Sequence, residues 1–227
     1  MAKAAIVLMG PSGVGKGTQA FRLTKCFPGF IHFDTGQEIK KRVDDLAFAL
    51  DPNVTKQREI YYRGDLNDTR WATALVCEKI KAYALEGFGI ILSGSPRTVY
   101  EAEQIGPLVK EIFGQNVLII KINVSEDAVR QRMASRVVCN NAFCGFPSTK
   151  EQIARLCPQC GKGKLAPKSL DSEEAIRRRI AWFYTQTIPA LSNLYLLGIP
   201  LVEVDGEGDE ERVFSQILVA IEENLAL

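Results

Sequence analysis

The sequence predicts an α/β doubly wound fold: a five-stranded parallel sheet with helices on both faces and two inserted segments. Three observations carry that reading. Five short apolar runs have the character of strands buried on both faces. Helical stretches separate them, and such alternation argues a parallel sheet. The first run leads directly into a glycine-rich turn that opens a helix.

The elements follow in order. Ala4–Met9 is the first strand, and Gly15–Cys26 is the helix after the turn. Phe30–Phe33 is the second strand. Residues 36–68 are mostly helical in pattern and contain no strand. Thr69–Leu85 carries Trp71, Leu75 and Ile80 at helical spacing. Gly89–Leu92 is the third strand and Glu101–Phe113 its helix; Val117–Val124 is the fourth and Glu126–Val138 its helix. Residues 139–170 are rich in Cys, Pro, Gly and Lys and have no helical period. Glu173–Leu197 reads as one long helix kinked at Pro189. Pro200–Val204 is the fifth strand, and Glu210–Leu225 closes the fold with Val213, Phe214, Ile217, Leu218 and Ile221 on one face. Segments 36–68 and 139–170 are too long for ordinary connections, which marks them as functional insertions.

Composition narrows the function. The chain has 227 residues, 46% hydrophobic and 24% charged, enough for a full core plus small insertions. A net charge of +1 argues against a nucleic-acid or membrane surface as the main partner. The apolar runs are strand-sized, too short to span a bilayer. Met1-Ala2-Lys3 leads straight into the first strand, so the expectation is a cytoplasmic protein. In a reducing compartment its six cysteines are metal ligands or core residues rather than disulfides.

Two motifs stand out. In Gly10-Pro11-Ser12-Gly13-Val14-Gly15-Lys16-Gly17-Thr18 the glycines let backbone N–H groups curl around a polyphosphate, and Lys16 reaches its terminal phosphates. The hydroxyl of Thr18 comes one residue later than in the general phosphate loop, because Gly17 follows the lysine. Cys139 and Cys144, then Cys157 and Cys160, form two close pairs, each ending in Cys-Gly. That is a zinc-ribbon pattern with no open coordination position, hence a structural metal. Iron is the alternative, since it also takes four thiolates. Cys26 and Cys77 read as core. The other signals are weaker. Arg97 follows the turn Ser93-Gly94-Ser95-Pro96, whose Ser95–Pro96 bond suits a cis form. Arg132 and Arg136 share a helix face, where two cations repel unless an anion lies between them. His32, the single histidine, reads as a packed strand residue.

Taken together, Gly10–Ala20, Thr35-Gly36, Gly64-Asp65-Leu66, Gly94–Thr98, Arg132–Arg136, the four-cysteine segment and Leu201–Gly206 resemble the adenylate kinase family in its long-lid, zinc-bearing form. The resemblance covers essentially the whole chain. It implies a P-loop NTPase-like core (1–33, 69–136 and 171–227), a nucleoside-monophosphate-binding domain (34–68) and a zinc-binding lid (137–170). It implies transfer from Mg·ATP to AMP giving two ADP, structural Zn²⁺, nucleotides as the only partners, and a monomer. The ATP-binding set would be Gly13, Val14, Gly15, Lys16, Gly17, Thr18, Arg132, Arg136, Glu207 and Gly208. The AMP-binding set would be Thr35, Gly36, Lys40, Asp65, Leu66, Asn67, Gly94, Arg97, Glu101, Lys168 and Arg179. Lys16, Arg97, Arg132, Arg136, Lys168 and Arg179 would be the catalytic cations.

The chain also departs from the family pattern. Ser93 stands where the family has an Asp that orients water on Mg²⁺, and Ser95 replaces a Phe. Lys40 and Lys168 replace arginines, Leu170 replaces an Asp, and Asn67 replaces a Val. Glu101 aligns with the glutamine that reads the adenine edge. An ionised carboxylate only accepts hydrogen bonds, so GMP, CMP or UMP stand beside AMP as acceptors. A non-catalytic nucleotide-binding regulator is the reading from another class.

Overall fold

The computed structural model describes residues 4–141, 144–148, 150–167 and 172–227. Strands β1 (Ala5–Met9), β2 (Phe30–Phe33), β3 (Gly89–Ser93), β4 (Val117–Asn123) and β8 (Leu201–Asp205) form one parallel sheet in the order β2-β3-β1-β4-β8. Side chains alternate across it. Ala5, Val7 and Met9 face a layer built by α4 (Thr69–Leu85), α5 (Val99–Phe113) and α8 (Ile188–Leu196). Ile6 and Leu8 face α1 (Lys16–Cys26) and α9 (Glu210–Asn224). Both faces are covered, so the strands are apolar throughout.

Segment 36–68 is helical, as expected: α2 (Thr35–Asp44), a short 3₁₀ turn at Leu46–Phe48 and α3 (Pro52–Tyr62). They pack through Ile39, Val43 and Val54 onto Ala72 and Leu75 of α4. The cysteine-rich segment forms a second, antiparallel sheet, β6 (Pro147–Ser148), β5 (Val137–Cys139) and β7 (Leu165–Pro167), in that spatial order.

Three boundaries differ from the sequence reading. Helix α6 spans Glu126–Ala134 and stops short of Val138, because Val137 and Val138 pair with Pro147 and Ser148 as strand. Helix α5 begins at Val99, capped by Thr98, and continues through Pro107. Both Pro107 and Glu103, whose carbonyl loses its helical partner there, are exposed, so water replaces the missing bond. The long helix is two: α7 (Glu173–Trp182) and α8, joined by a π turn at Phe183–Thr187. Pro189 lies in the first turn of α8, where its missing N–H costs little.

Most helix starts show one pattern, and α8, which continues from the π turn, and α1 depart from it. Asp34, Asp51, Asp68, Thr98, Ser125, Ser172 and Asp209 each accept a backbone N–H at an N-cap, worth about 1 kcal/mol apiece. Helix α1 begins instead at Gly15, with φ 105° and no side-chain cap. Its first N–H groups face the turn after β1, free of a competing side-chain oxygen.

Candidate active site

The carboxyl ends of β1, β2 and β3 open into a cleft of about 1210 Å³. Ligands of doubly wound folds bind in this position. The loop residues Gly10–Thr18 form its floor. Lys16 turns back over them, its Nζ donating to the carbonyl oxygens of Gly10 at 2.7 Å and Pro11 at 2.8 Å. Burial pushes the Lys16 ammonium down to about 7, helped by the charges of Arg97 and Arg136 and opposed by Asp34.

Arg97, Arg132, Arg136 and Arg179 line the same cleft, although they come from the β3–α5 turn, α6, its C-terminal exit and α7. Arg132 is fixed by Val14 O at 3.4 Å and Gly206 O at 2.8 Å. Arg97 folds back so that its Nε donates to Gly94 O at 2.5 Å. The Ser95–Pro96 peptide before it is cis, as its turn suggested. Lys16 and these four arginines repel one another, and a multiply charged anion relieves that repulsion.

The other expected residues divide into two groups. Gly13, Val14, Gly15, Gly17, Thr18, Gly36, Lys40, Asp65, Leu66, Asn67, Gly94 and Gly208 line the cleft. Thr35, Glu101 and Glu207 stand outside its lining among the described residues. The Thr35 hydroxyl donates to Ser95 Oγ at 2.9 Å, and Glu207 accepts from Ser125 N. The Glu101 carboxylate accepts Arg97 N at 2.7 Å. Lys40 is paired with Asp44 at 2.5 Å, and Asp65 with Arg63 and Arg178. Asn67 donates to the carbonyl and the Oε1 of Gln57, at 2.7 Å and 3.0 Å. Lys168 lies outside the described residues.

Sequence reasoning missed one pair. His32 Nε2 lies 2.6 Å from Ser93 Oγ, and both line the cleft. Burial lowers the His32 pKa, with Asp34 opposing, so the ring is neutral at pH 7. The two residues are 61 apart in sequence, and only the β2–β3 pairing brings them together. A lone histidine in a strand gives no local sign of this.

The four cysteines form a separate site beside the cleft. Their Sγ atoms all lie within 4.8 Å of one another. Cys139–Cys160 and Cys144–Cys157 are each 3.7 Å apart. A tetrahedral ion with metal–sulfur bonds of about 2.3 Å sets sulfurs about 3.8 Å apart, so the cluster fits a four-coordinate metal. Backbone N–H groups of Gly163 and Lys162 pull the Cys160 thiol below its usual range, while burial pushes Cys139 and Cys144 up, so the fit to a metal rests on the sulfur geometry.

Comparison with known proteins agrees with this geometry. The sequence model of the family described as adenylate kinase matches residues 8–196. An adenylate kinase of Elusimicrobium minutum (strain Pei191) is 31% identical over 216 residues, 93% of this chain and 95% of the relative. One of Thermosipho melanesiensis is 32% identical over 218 residues, 94% and 97% of the two chains. One of Haloarcula marismortui is 29% identical over 230 residues and covers both chains completely.

Proposed function

The chain belongs to the adenylate kinase family, and from that premise we propose that it transfers the terminal phosphoryl of Mg·ATP to AMP, giving two ADP, and so balances the adenine nucleotide pool. The observation that carries this reading is the convergence of Lys16, Arg97, Arg132, Arg136 and Arg179 on the cleft floored by the glycine loop. Phosphoryl transfer needs little covalent chemistry from a protein. It needs two oxygens held in line and cations where charge spreads in the transition state.

In this reading the loop amides and Lys16 hold the donor phosphates, with Thr18 and Gly208 on the donor side. Arg132 and Arg136 cover the transferring group from above. Arg97 and Arg179 grip the acceptor phosphate, and Gly36, Lys40, Leu66 and Asn67 enclose the acceptor nucleoside. Mg²⁺ bound with ATP would supply positive charge to the phosphates. The cleft offers it oxygen chemistry through Thr18, Asp34 and the Ser93 hydroxyl beside His32. The segment 34–68 acts as the acceptor domain and 137–170 as a lid, stiffened by Zn²⁺ on the four thiolates. Lid residue Phe146 already meets Phe21 of α1 edge-on, with ring centroids 5.1 Å apart. Thiolates on zinc suit a reducing cytoplasm.

Asn67 presents an acceptor to the acceptor base. Gln57 engages its amide N–H donors, leaving the carbonyl oxygen to accept. The adenine amino group can supply the matching donor, as can donors of the other bases, so the acceptor panel decides among them. The test is transfer from Mg·ATP to AMP, GMP, CMP, UMP and dTMP. The expected result is fastest turnover with AMP. Preference for another base would move the acceptor and keep the chemistry. ATP binding without turnover on any acceptor would overturn the reading in favour of a regulator.

A further inference from the structure

We propose that Glu101 does not read the acceptor base and is instead the positioning residue of Arg97, which it fixes by clasping the turn that carries the guanidinium. The inference rests on the role given to Arg97 above.

The geometry is a turn held by hydrogen bonds on both sides. Glu101 is 5% exposed and lies in the first turn of α5. Its carboxylate takes the backbone N–H of Arg97 at 2.7 Å, and the Ser95 hydroxyl nearby favours its charged form. Thr98 Oγ1 accepts Glu101 N at 3.2 Å in return, so the two ends of the turn hold each other. Ser95 Oγ accepts from Thr35, the first residue of α2. The turn is therefore held from both sides, by Glu101 at Arg97 N and by Thr35 at Ser95, and this ties the start of the acceptor segment to the turn whose arginine would hold the acceptor phosphate.

Two features argue against base reading. The carboxylate sits behind the turn, outside the residues lining the cleft, whereas Gly94, Ser95, Pro96 and Arg97 line it. It is also already hydrogen-bonded, and turning it toward a base would leave the part-buried Arg97 N–H without this partner. Ser95 makes the arrangement chemically coherent. Its hydroxyl can donate to Glu101 while accepting from Thr35, which a phenylalanine at that place cannot do.

The test is a double-mutant cycle with kcat and KM measured on AMP, GMP and CMP. Glu101→Ala is expected to lower kcat/KM for every acceptor by a common factor of about 10–100, because a displaced cation loses its alignment with the phosphate. Ratios between acceptors should stay within about twofold. Glu101→Gln, which can still accept Arg97 N–H, should recover most of the loss. In an Arg97→Ala background, Glu101→Ala should cost nothing further, since its effect passes through the arginine. A change of tenfold or more in the ratio between acceptors would make Glu101 a base reader and overturn the proposal. An equal further loss in the Arg97→Ala background would make it a general structural residue, with the same consequence. If Glu101→Ala fails to fold, Glu101→Gln and Ser95→Ala carry the cycle. Unimpaired turnover by Arg97→Ala alone would instead refute the role of Arg97.

Discussion

Raising the pH from 7 to 9 should weaken ATP binding through Lys16. Its ammonium is poised at about 7, against an ordinary 10.5, because burial and two guanidiniums act against the charge. Bound phosphates reverse this by placing oxygens within reach of Nζ, so the protein that binds is the protonated one. Affinity then scales with the protonated fraction, about one half at pH 7 and about one hundredth at pH 9. The expected rise in Kd is about 50-fold. Above pH 7 the nucleotide phosphates hold one charge state, so the protein's own titration is isolated. Calorimetry in buffers of different ionisation enthalpy reads both quantities. Binding should take up about half a proton at pH 7 and close to one at pH 9. Lys16→Met should bind weakly, with a Kd that no longer changes with pH. A wild-type Kd constant within about threefold, with no proton uptake, would refute the argument.

Four further outcomes follow from the same geometry. Between pH 7 and 10.5 the unfolded chain keeps a proton on Lys16 that the folded chain has released, so this group's contribution to stability rises with pH. Lys16→Met should therefore raise Tm more at pH 6.5 than at pH 9, read by thermal melts. Arg97→Ala should lower kcat by about 10²–10³, the scale of losing a transition-state charge contact, read by steady-state kinetics. Gly206→Ala would set a methyl 2.6 Å from both Ile122 Cγ2 and Val124 Cγ2 and disturb the carbonyl that holds Arg132. Urea melts should show a loss of about 1–3 kcal/mol, with a lower kcat alongside. Cys157→Ser or a strong chelator should release one metal ion per chain by elemental analysis and abolish a low-temperature melting step while the core transition persists; an unchanged profile after verified metal loss would refute a stiffening role.

Much of the fold was legible because its signals are local. An unbroken apolar run such as Ala4–Met9 has few uses other than a central parallel strand, and Cys-Gly knuckles announce themselves. The loop cations were legible for the same reason, since Lys16 stands in a fixed frame of glycines. Boundaries were harder where one pattern runs into another. Val137 and Val138 continue the apolar rhythm of α6, and only pairing with Pro147 and Ser148 shows them to be strand. The π turn before Pro189 leaves no sequence mark beyond the proline itself. Side-chain commitments were hardest. That Glu101 closes a turn and His32 meets Ser93 depends on which strands are neighbours, and no window along the chain contains that information.

The sheet order also bears on how the protein is made. Strand β4 lies between β1 and β8, and β8 is the last strand to leave the ribosome. Until residues 201–205 emerge, the Ile119–Asn123 side of β4 has no partner, and an unpaired apolar strand is a template for sticking to other chains. The delay reaches the cleft too, because Gly206, whose carbonyl steadies Arg132, follows directly after β8. A nascent chain halted before that point would carry the complete glycine loop with one of its arginines unsupported. Released chains ending near residue 195 and near residue 227 should therefore differ sharply in chaperone dependence, although most of the sheet is common to both.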